Sequence, residues 1–430
     1  MFKRTAYLEK LVHSMGNGYV KIVTGIRRCG KSFLLNTLFY DYLLKNVCDE
    51  DHIIRFAFDS ADDLERIGEN PVELQMKKKS VDPMKFMDFV KSKIKDDGKY
   101  YLLLDEVQEL GAFESVLNSY LRKPNVDVFV TGSNAKFLSK DLITEFSGRS
   151  DQIHLYPLSF SEFMEEYAGD KYQGFSDYLL YGGIPLVVLE QDKSKKAGML
   201  SSLVNEVYLH DIVRRNKVKN ASDLNDLLNV LASSVGSLSN AEKIKNTFRS
   251  EIKSAITNKT VSKYIGFLDD AFLINIAQRY DIKGKKYIGT PQKIYFSDLG
   301  LRNSRLNFRQ FEETHLMENA IYNELLYRGY CVDVGVVETF EKKENGSVVR
   351  KNLEIDFVCN LGESRIYIQS AFSLPDAEKR ETEIRPFRKV GDSFKKILIT
   401  KDLCPTYHDE NGILTMNVLD FLLNPDSLKI

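Results

Sequence analysis

The octet GIRRCGKS occupies residues 25–32 and decides the fold of the amino-terminal part of the chain. It has the spacing G-x-x-x-x-G-K-[ST] and directly follows an apolar, β-branched run that predicts a strand over Tyr19–Thr24. A helical pattern over Ser32–Lys45 begins where the octet ends. A glycine-rich turn between a strand and a helix presents backbone N–H groups at the positive end of the helix. The octet therefore predicts a phosphate loop, the name used below for residues 25–32.

The residue types in the phosphate loop indicate what it holds. Glycines let the backbone N–H groups wrap phosphate oxygens, a lysine reaches the β- and γ-phosphates of a nucleotide, and a serine hydroxyl binds Mg²⁺. The chain lacks an N-K-x-D guanine signature, so ATP is the predicted nucleotide and Mg²⁺ the predicted metal. The predicted nucleotide-binding residues are Gly25, Arg28, Cys29, Gly30, Lys31, Ser32 and Phe33, with Ser32 as a metal ligand.

A second motif agrees with the phosphate loop. The apolar run Tyr100–Leu104 ends in Asp105 and Glu106. Because a parallel strand presents its carboxyl end at the ligand crevice, Asp105 is predicted to hold Mg²⁺ through water. Glu106 is predicted to orient or deprotonate the attacking water. Acidic residues often end strands, so the pair is a weak signal by itself; with the phosphate loop upstream it favours hydrolysis over phosphoryl transfer to a small molecule.

Two further polar residues complete the predicted catalytic set. The strand-like run Val126–Thr131 leads to Ser133 and Asn134, and Asn134 or Ser133 is predicted to sense the γ-phosphate; the alternative is an ordinary turn after a strand. Arg149 precedes a strand-like run at Gln152–Leu155. It is predicted to act as an arginine finger, either in cis or for a neighbouring subunit, and the alternative is an ordinary surface arginine.

The composition limits the class of protein. The chain has 430 residues, which favours two to four domains, with 43% apolar and 28% charged residues, as in folded globular proteins. Its 60 Lys and Arg residues balance 61 Asp and Glu residues, which excludes a wholly basic nucleic-acid coat. No run approaches the roughly 18 apolar residues of a spanning helix. The amino terminus lacks an apolar signal, and five scattered cysteines show neither a disulfide nor a zinc pattern. These features predict a cytoplasmic protein without a membrane partner.

The pattern of helices and strands predicts four regions. Strands that alternate with helices over residues 1–157 predict an α/β fold with a parallel sheet. The pattern over residues 158–220 predicts a helical extension, which GGIP interrupts at residues 182–185. Three helical patterns and then two strand-like runs predict a winged helix-turn-helix over residues 221–308. Residues 309–430 return to mixed α/β patterning.

The predicted winged-helix region is strongly basic. Residues 241–310 carry 14 Lys and Arg residues against six acids, a net charge of +8. Such a local excess is typical of a surface that binds the DNA backbone, although a lid, a protein-contact module or a solvated face would look similar. The predicted DNA contacts are Lys259 and Lys263 on the third helix and Lys283, Lys285 and Lys286 at the wing tip.

The carboxy-terminal region places acidic residues on predicted inward faces. Glu318 lies on the apolar stripe of a helix, and Glu354 and Asp356 share one face of an alternating strand. Gln369 and Ala371 share one face of the next strand. A buried carboxylate needs a partner, so these residues are expected to lie close together.

This order of a helix glutamate, a strand aspartate and a hairpin partner resembles the PD-(D/E)xK nucleases and Holliday-junction resolvases. The resemblance implies a metal site at Glu318, Asp356 and Gln369 in a restriction-endonuclease-like α/β domain. Ala371 stands at the position where that family has a lysine, and nothing requires Lys379 to replace it. A degenerate nuclease fold used for binding is therefore predicted. An active nuclease and a core of internally hydrogen-bonded polar groups are the alternatives.

A second resemblance covers nearly the whole chain. The strings TGIRRCGKS, LLLDEVQEL, TGSNAKFLS, FSGRS and LYPLSFSEF, in this order, resemble the AAA+-type ATPases of bacteria and archaea whose function is poorly known. The later strings YGGIP, YIGFLDDAFLI and KIYFSDLGLR resemble the region that follows the ATPase in that family. The resemblance implies an ATP-driven switch or motor and strengthens Arg149 as an arginine finger.

Three functions are compatible with these motifs. The first is an Mg²⁺-dependent ATPase that acts as a nucleotide-controlled switch coupled to DNA binding. The second is a nucleotide-gated regulatory protein that binds a protein partner and has no DNA role. The third is an ATP-dependent nuclease. A homo-oligomer is compatible with all three.

Overall fold

The computed structural model describes residues 2–132, 146, 148–342 and 348–429. The chain divides into two units, Met1–Tyr156 and Pro157–Ile430. The first unit ends beside the boundary predicted at residue 157, and the boundaries predicted at residues 220 and 308 stay predictions. Among the described residues, no helix is both long and apolar enough to cross a membrane.

The first unit is built on a parallel sheet. In the described part of the chain it has five strands in the order β2-β3-β4-β1-β5, all parallel. Every residue of β1, β3 and β4 is buried, as expected for parallel strands with both faces covered. The predicted strands are confirmed to within two residues at each end. Their bounds are Val20–Thr24 (β1), Ile53–Ala57 (β2), Tyr100–Asp105 (β3), Val126–Thr131 (β4) and Ser150–His154 (β5).

One helix of this unit starts at the phosphate loop. It runs over residues 31–46 as an α segment, a π segment and a second α segment, Lys31–Phe33, Leu34–Phe39 and Tyr40–Asn46. The longer of the other described helices are Thr5–His13, Ala61–Arg66, Pro71–Lys77, Pro83–Lys93 and Phe113–Leu121; the 3₁₀ turns are Glu50–His52 and Val107–Glu109.

The second unit is built on a mixed sheet. In the described residues it has eight strands in the order β12-β13-β11-β10-β9-β8-β6-β7. Strands β8, β9 and β10 form an antiparallel meander, and β11 lies parallel to β10. The bounds are Ile274–Asp281 (β6), Lys286–Phe296 (β7), Cys331–Lys342 (β8), Val348–Leu361 (β9), Ser364–Ala371 (β10), Lys395–Thr400 (β11), Tyr407–His408 (β12) and Leu414–Asn417 (β13).

The helices of the second unit fall into three groups. Helices occupy much of residues 158–220, and three helices precede the β6–β7 hairpin in the predicted order. The helical extension as a separate region stays a prediction. The described helices are Phe160–Met164, Lys171–Tyr181, Pro185–Leu189, Lys193–Ser202, Leu203–Leu209 (π) and His210–Asn216; then Ala221–Ser233, Ala241–Thr247, Phe248–Ile252 (π) and Asn258–Asp270; then Leu299–Arg305, Glu313–Tyr327, Ala377–Val390 and Val418–Leu423.

The hairpin β6–β7 does not stand apart as a wing. β6 pairs in parallel with β8 over three residues, Arg279–Asp281 against Val334–Val336, so the hairpin extends the carboxy-terminal sheet. The structure therefore does not confirm a separate winged helix. The helix Glu313–Tyr327 and the hairpin β9–β10 follow in the order expected for a nuclease-like region, and that assignment stays a prediction.

A buried carboxylate holds the glycine-rich interruption of the helical extension. Asp298 accepts hydrogen bonds from the backbone N–H groups of Gly183 at 2.6 Å and Leu301 at 3.0 Å. Gly182 has φ +72°, and a Cβ there would lie 2.3 Å from an Asp298 carboxylate oxygen. A Cβ on Gly300 would lie 2.1 Å from the Tyr181 carbonyl oxygen. Two segments, residues 181–185 (YGGIP) and 297–300 (SDLG), therefore pack tightly against each other. Burial raises the pKa of Asp298 to about 6.

We expect Asp298→Ala to destabilise the protein strongly, because each N–H left buried without an acceptor costs about 1–3 kcal/mol. The matched control is Asp170→Ala, since Asp170 also accepts two backbone N–H bonds, from Tyr172 and Gln173, but is exposed to water. Urea unfolding measures both. An equal loss of unfolding free energy in the two variants would contradict the role assigned to Asp298.

Candidate functional site

The phosphate loop is held in shape by positions that only glycine fits. Gly25 has φ +142°, and a Cβ there would lie 2.2 Å from the carbonyl oxygen of Leu155. Leu155 in turn donates its N–H to the Thr24 carbonyl at 2.8 Å, which fixes the end of β1 against the end of β5. Gly30 has φ +99° and open space where a Cβ would be. The loop therefore leaves β1 with no side chain between its backbone and the neighbouring strand.

Lys31 points back into the loop. Its ammonium donates hydrogen bonds to the carbonyl oxygens of Gly25 at 3.1 Å and Ile26 at 3.2 Å, and the side chain is buried. Ser32, on the first turn of the helix, is exposed. An inward ammonium, an outward hydroxyl and a helix amino terminus suit a nucleotide phosphate with its magnesium ion.

Cys29 contributes its backbone to the loop. Its side chain is buried beneath the loop, where a Cβ on Gly25 would lie 3.2 Å from the sulfur. Burial raises the pKa of the Cys29 thiol, which keeps it neutral. A neutral, buried thiol has no nucleophilic role.

The acid pair lies at the same carboxyl edge of the sheet and is bonded to the loop's helix. Asp105 ends β3, and its carboxylate accepts the Asn36 side-chain amide at 3.4 Å and the Thr131 hydroxyl. Glu106 has φ +51° and donates its N–H to the Thr131 hydroxyl oxygen at 3.0 Å. The Gln108 side-chain amide donates to the Glu106 carboxylate. The structure thus brings Lys31, Asp105 and Glu106 to one edge.

Three residues of this arrangement were absent from the sequence predictions. Asn36 lies four residues after Ser32, on the same face of the helix that follows the loop. Thr131 ends the strand that lies between β1 and β3 in the sheet. Gln108 lies two residues after Glu106. The helical spacing could have indicated Asn36, whereas Thr131 could be assigned only once the strand order was known.

Negative charge accumulates near the acid pair. Phe58, directly after β2, donates its N–H to the Asp105 carbonyl at 3.1 Å, which places Asp59 at the same edge. Burial and the charges of Asp105 and Glu106 raise the pKa of Asp59. This edge is therefore suited to attract a cation, and the cation would in turn attract the negative phosphates.

The two remaining predicted catalytic residues are not placed beside the acid pair. Asn134 lies outside the described residues. Arg149 is exposed and precedes β5, where its carbonyl oxygen accepts the Val20 N–H at 3.0 Å. Because β1 and β5 are parallel, Arg149 lies at the amino edge of the sheet, and the phosphate loop lies roughly 13 Å away at the carboxyl edge. The structure therefore does not place Arg149 beside its own phosphate loop, and both alternatives, action in cis and action for a neighbouring subunit, stay predictions.

The lysines predicted to contact DNA reach the surface. Other cations of the basic segment point inward: Lys293 and Arg302 are buried, and Arg305 donates to the Asn229 side chain at 2.6 Å. The outward positive charge of residues 241–310 is therefore smaller than the sequence count indicates. The exposed lysines are Lys259, Lys263, Lys283, Lys285 and Lys286.

A buried lysine occupies the centre of the predicted nuclease-like metal site. The ammonium of Lys293, from β7, lies 2.9 Å from a Glu318 carboxylate oxygen, 2.8 Å from Glu354 and 3.2 Å from Asp356. The Tyr295 hydroxyl donates to Glu318 at 2.7 Å. Among the described residues, no group of three or more His, Cys, Asp or Glu side chains is arranged to hold a metal.

Gln369 does not join the carboxylates as a metal ligand. Its side-chain oxygen accepts the Asp356 backbone N–H at 3.3 Å, and its amide faces Glu383 at 3.5 Å. Lys379 pairs with Glu383 at 2.6 Å and so lies outside the cluster. The predicted metal site of Glu318, Asp356 and Gln369 is corrected accordingly: these residues do come together, but a lysine ammonium lies among them.

The cluster concentrates charge in a buried place. Burial raises the pKa of Glu318 to about 7, against the opposing effect of the Lys293 charge. Burial by itself lowers the pKa of Lys293, but the surrounding acidic groups raise it well above its ordinary value. Lys293 is therefore charged at neutral pH and shares its charge among several carboxylates.

Comparison with known proteins agrees with the fold of the first unit. The model for the AAA domain matches residues 17–164, and a model for a domain of unknown function (DUF8612) matches residues 172–312. An uncharacterised protein of Haemophilus influenzae is 34% identical over 98% of this chain and 99% of its own length. An uncharacterised protein of Methanocaldococcus jannaschii is 25% identical over 91% of this chain and 82% of its own.

Solved structures show weaker likeness. The Walker-type ATPase PABY2304 of Pyrococcus abyssi is 16% identical, with 71% of this chain and 96% of that chain covered. Its TM-score is 0.47, which is too low to support a conclusion about function.

We expect Glu318→Gln to change how stability depends on pH. The pKa of Glu318 is about 7 in the folded chain and near 4.5 when unfolded, so the folded state holds the proton more tightly. The unfolding free energy of the wild type should therefore fall by up to roughly 3 kcal/mol relative to that of the variant as pH rises from 4.5 through 7. Urea unfolding between pH 4.5 and 8 measures this difference.

The control for this measurement is Glu363→Gln, which removes an exposed glutamate from the turn between β9 and β10. Its unfolding free energy should follow the wild type at every pH. Parallel curves for wild type and Glu318→Gln would show that Glu318 does not titrate in this range.

Proposed function

Because the chain belongs to the family of AAA-domain proteins that includes its Haemophilus influenzae relative, we propose that it is an Mg²⁺-dependent ATPase acting as a nucleotide-controlled switch. One observation carries this proposal: Asn36, on the helix of the phosphate loop, donates to Asp105, which joins the loop and the acid pair at one edge of the sheet. A phosphate-binding element and a metal-binding acid must lie side by side for phosphoryl transfer to water.

The loop residues bind the nucleotide. Lys31 binds the β- and γ-phosphates, and the loop backbone wraps them. Ser32 would hold Mg²⁺ through its hydroxyl, and Asp105 would hold it through water. The ion would neutralise the negative charge that develops during transfer.

The remaining roles are assigned to Glu106, Asn134 and Arg149 as part of the proposal. Glu106 orients or deprotonates the attacking water, and Gln108 steadies its carboxylate. Asn134 senses the γ-phosphate. Arg149 lies at the opposite edge of its own sheet, so it serves as an arginine finger for a neighbouring copy in a homo-oligomer.

We expect Lys31→Ala and Glu106→Gln to separate binding from turnover. Lys31→Ala loses its phosphate contacts and should bind ATP much more weakly. Glu106→Gln should still bind ATP but lose about 10²–10⁴-fold in turnover, the usual contribution of a general base. Calorimetry with Mg²⁺ and ATP measures binding, and phosphate release measures turnover.

The matched control is Glu109→Gln, an exposed acid three residues after Glu106, which should keep native turnover. Native turnover in both Lys31→Ala and Glu106→Gln would refute the assigned site.

The basic surface of the second unit supports coupling to DNA. The exposed Lys259 and Lys263 lie four residues apart on one face of the helix Asn258–Asp270. Lys285 and Lys286 are exposed at the β6–β7 turn. Exposed lysines on a helix and a neighbouring hairpin suit the phosphate backbone, which such contacts bind without reading sequence.

We expect the double change Lys285→Glu and Lys286→Glu to weaken duplex binding and to reduce the slope of log affinity against log salt by about 0.9 for each lost phosphate contact. The control, Lys195→Glu with Lys219→Glu, makes the same charge change at exposed lysines elsewhere in the second unit. Fluorescence anisotropy with labelled duplex over a range of salt concentrations measures both. Wild-type binding that is absent or insensitive to salt would favour a protein partner instead.

A further inference from the structure

The cluster around Lys293 has the chemistry of a cation site that is already filled. Carboxylate oxygens of Glu318, Glu354 and Asp356 converge on one ammonium nitrogen at 2.8–3.2 Å. These are hydrogen-bond distances, whereas Mg²⁺ binds oxygens at about 2.0–2.1 Å. The three oxygens therefore lie around the nitrogen at distances typical of an ammonium group and longer than magnesium–oxygen bonds.

The remaining bonding capacity of these carboxylates is partly used by protein donors. The Ser370 backbone N–H donates to the second oxygen of Asp356 at 3.0 Å. The Tyr295 hydroxyl donates to the same Glu318 oxygen that contacts Lys293. Mg²⁺ requires near-octahedral oxygen ligands, so these donors compete with it.

The cluster is covered at Lys293 and Glu318, whereas the Glu354 side chain is 35% exposed. The Lys293 side chain is only 4% exposed. Gly236 donates its N–H to the Ile294 carbonyl at 3.1 Å, and a Cβ on Gly236 would lie 3.1 Å from a Glu318 carboxylate oxygen. The backbone at Gly236 therefore covers Glu318, with no side chain between them.

We propose that Lys293 is the resident cation of this acidic site and takes the place of the divalent metal that the nuclease resemblance implies. Its ammonium joins β7 to the helix Glu313–Tyr327 and to β9. The site excludes Mg²⁺ and Mn²⁺ in the native chain, and the nuclease-like region does not cleave nucleic acid. Residues distant in sequence, 293 against 318 and 356, supply the charge balance that a metal supplies in an active nuclease.

A chain without the Lys293 ammonium is expected to bind a divalent metal in its place. Removing the ammonium leaves three converging carboxyl groups without a counter-ion, two of them buried (Glu318 and Asp356), which is costly until a cation replaces it. Lys293→Met keeps an unbranched side chain of similar length without the charge. This variant should therefore gain a divalent-metal site that the wild type lacks.

The experiment uses the full chain without nucleotide, in an Asp105→Asn background so that the phosphate-loop site holds no metal. Mn²⁺ binding is followed by electron paramagnetic resonance, and thermal unfolding is measured with Mn²⁺ or EDTA. The background protein should bind no Mn²⁺ up to about 1 mM, the weak end of protein cation sites, and should unfold at one temperature in both conditions.

Adding Lys293→Met should create one Mn²⁺ site per chain and lower the unfolding temperature in EDTA. Mn²⁺ should then raise the unfolding temperature of this variant part of the way back. Adding Asp356→Asn as a third change should abolish that binding. These outcomes do not depend on ATP hydrolysis, so failure of the proposed ATPase would leave them unaffected.

Three results would overturn the proposal. The first is Mn²⁺ binding by the protein that retains Lys293, lost on Asp356→Asn. The second is Mg²⁺-dependent cleavage of linear or branched DNA that Asp356→Ala abolishes. The third is a folded Lys293→Met variant that binds no Mn²⁺. If Lys293→Met fails to fold even with Mn²⁺, the Mn²⁺ titration and the DNA cleavage assay on the protein that retains Lys293 decide the question.

Discussion

The close approach of the phosphate loop to β5 is the constraint on which the first unit depends. A side chain at Gly25 would meet the Leu155 carbonyl at 2.2 Å, so the chain can turn there only with glycine. That turn aims the loop at the carboxyl edge of the sheet, where Asp105 is bonded to Asn36 and Thr131. A parallel sheet collects the ends of its strands at one edge, and the proposed chemistry needs phosphate-binding and acidic groups at that edge.

The second unit depends on balancing buried charge. Asp298 is surrounded by backbone N–H donors, and the buried Arg302 donates to the carbonyls of Ala232 and Gln310, each at 2.7 Å. Lys293 is balanced by three carboxylates. A buried charge is tolerated only when its partners replace water, so these contacts fix the positions of the segments that supply them. The buried basic residues in this region are therefore paired inside the unit, and only the exposed basic residues are available to a partner.

Much of the first unit could be predicted from local pattern. The strands β1, β3 and β4 are mostly apolar runs, and the phosphate loop and acid pair have their own spacing, so the strand bounds agreed with the structure to within two residues. Prediction was weaker where distant segments meet. β6 joins β8 through three residue pairs only, and Lys293 reaches carboxylates on a helix and on β9. A lysine within an apolar strand gives no indication of which distant acids it will contact.

The sequence by itself determined the phosphate loop, its strand and helix, the acid pair and the acidic residues of the carboxy-terminal region, because each depends on residue type and short-range spacing. Only the tertiary structure decided that Arg149 lies at the edge opposite its own phosphate loop, that the predicted wing extends a larger sheet, and that Lys293 lies among Glu318, Glu354 and Asp356. Those features depend on strand order and on charges brought together from far along the chain, where the cost of burying each charge requires a partner that spacing alone does not name.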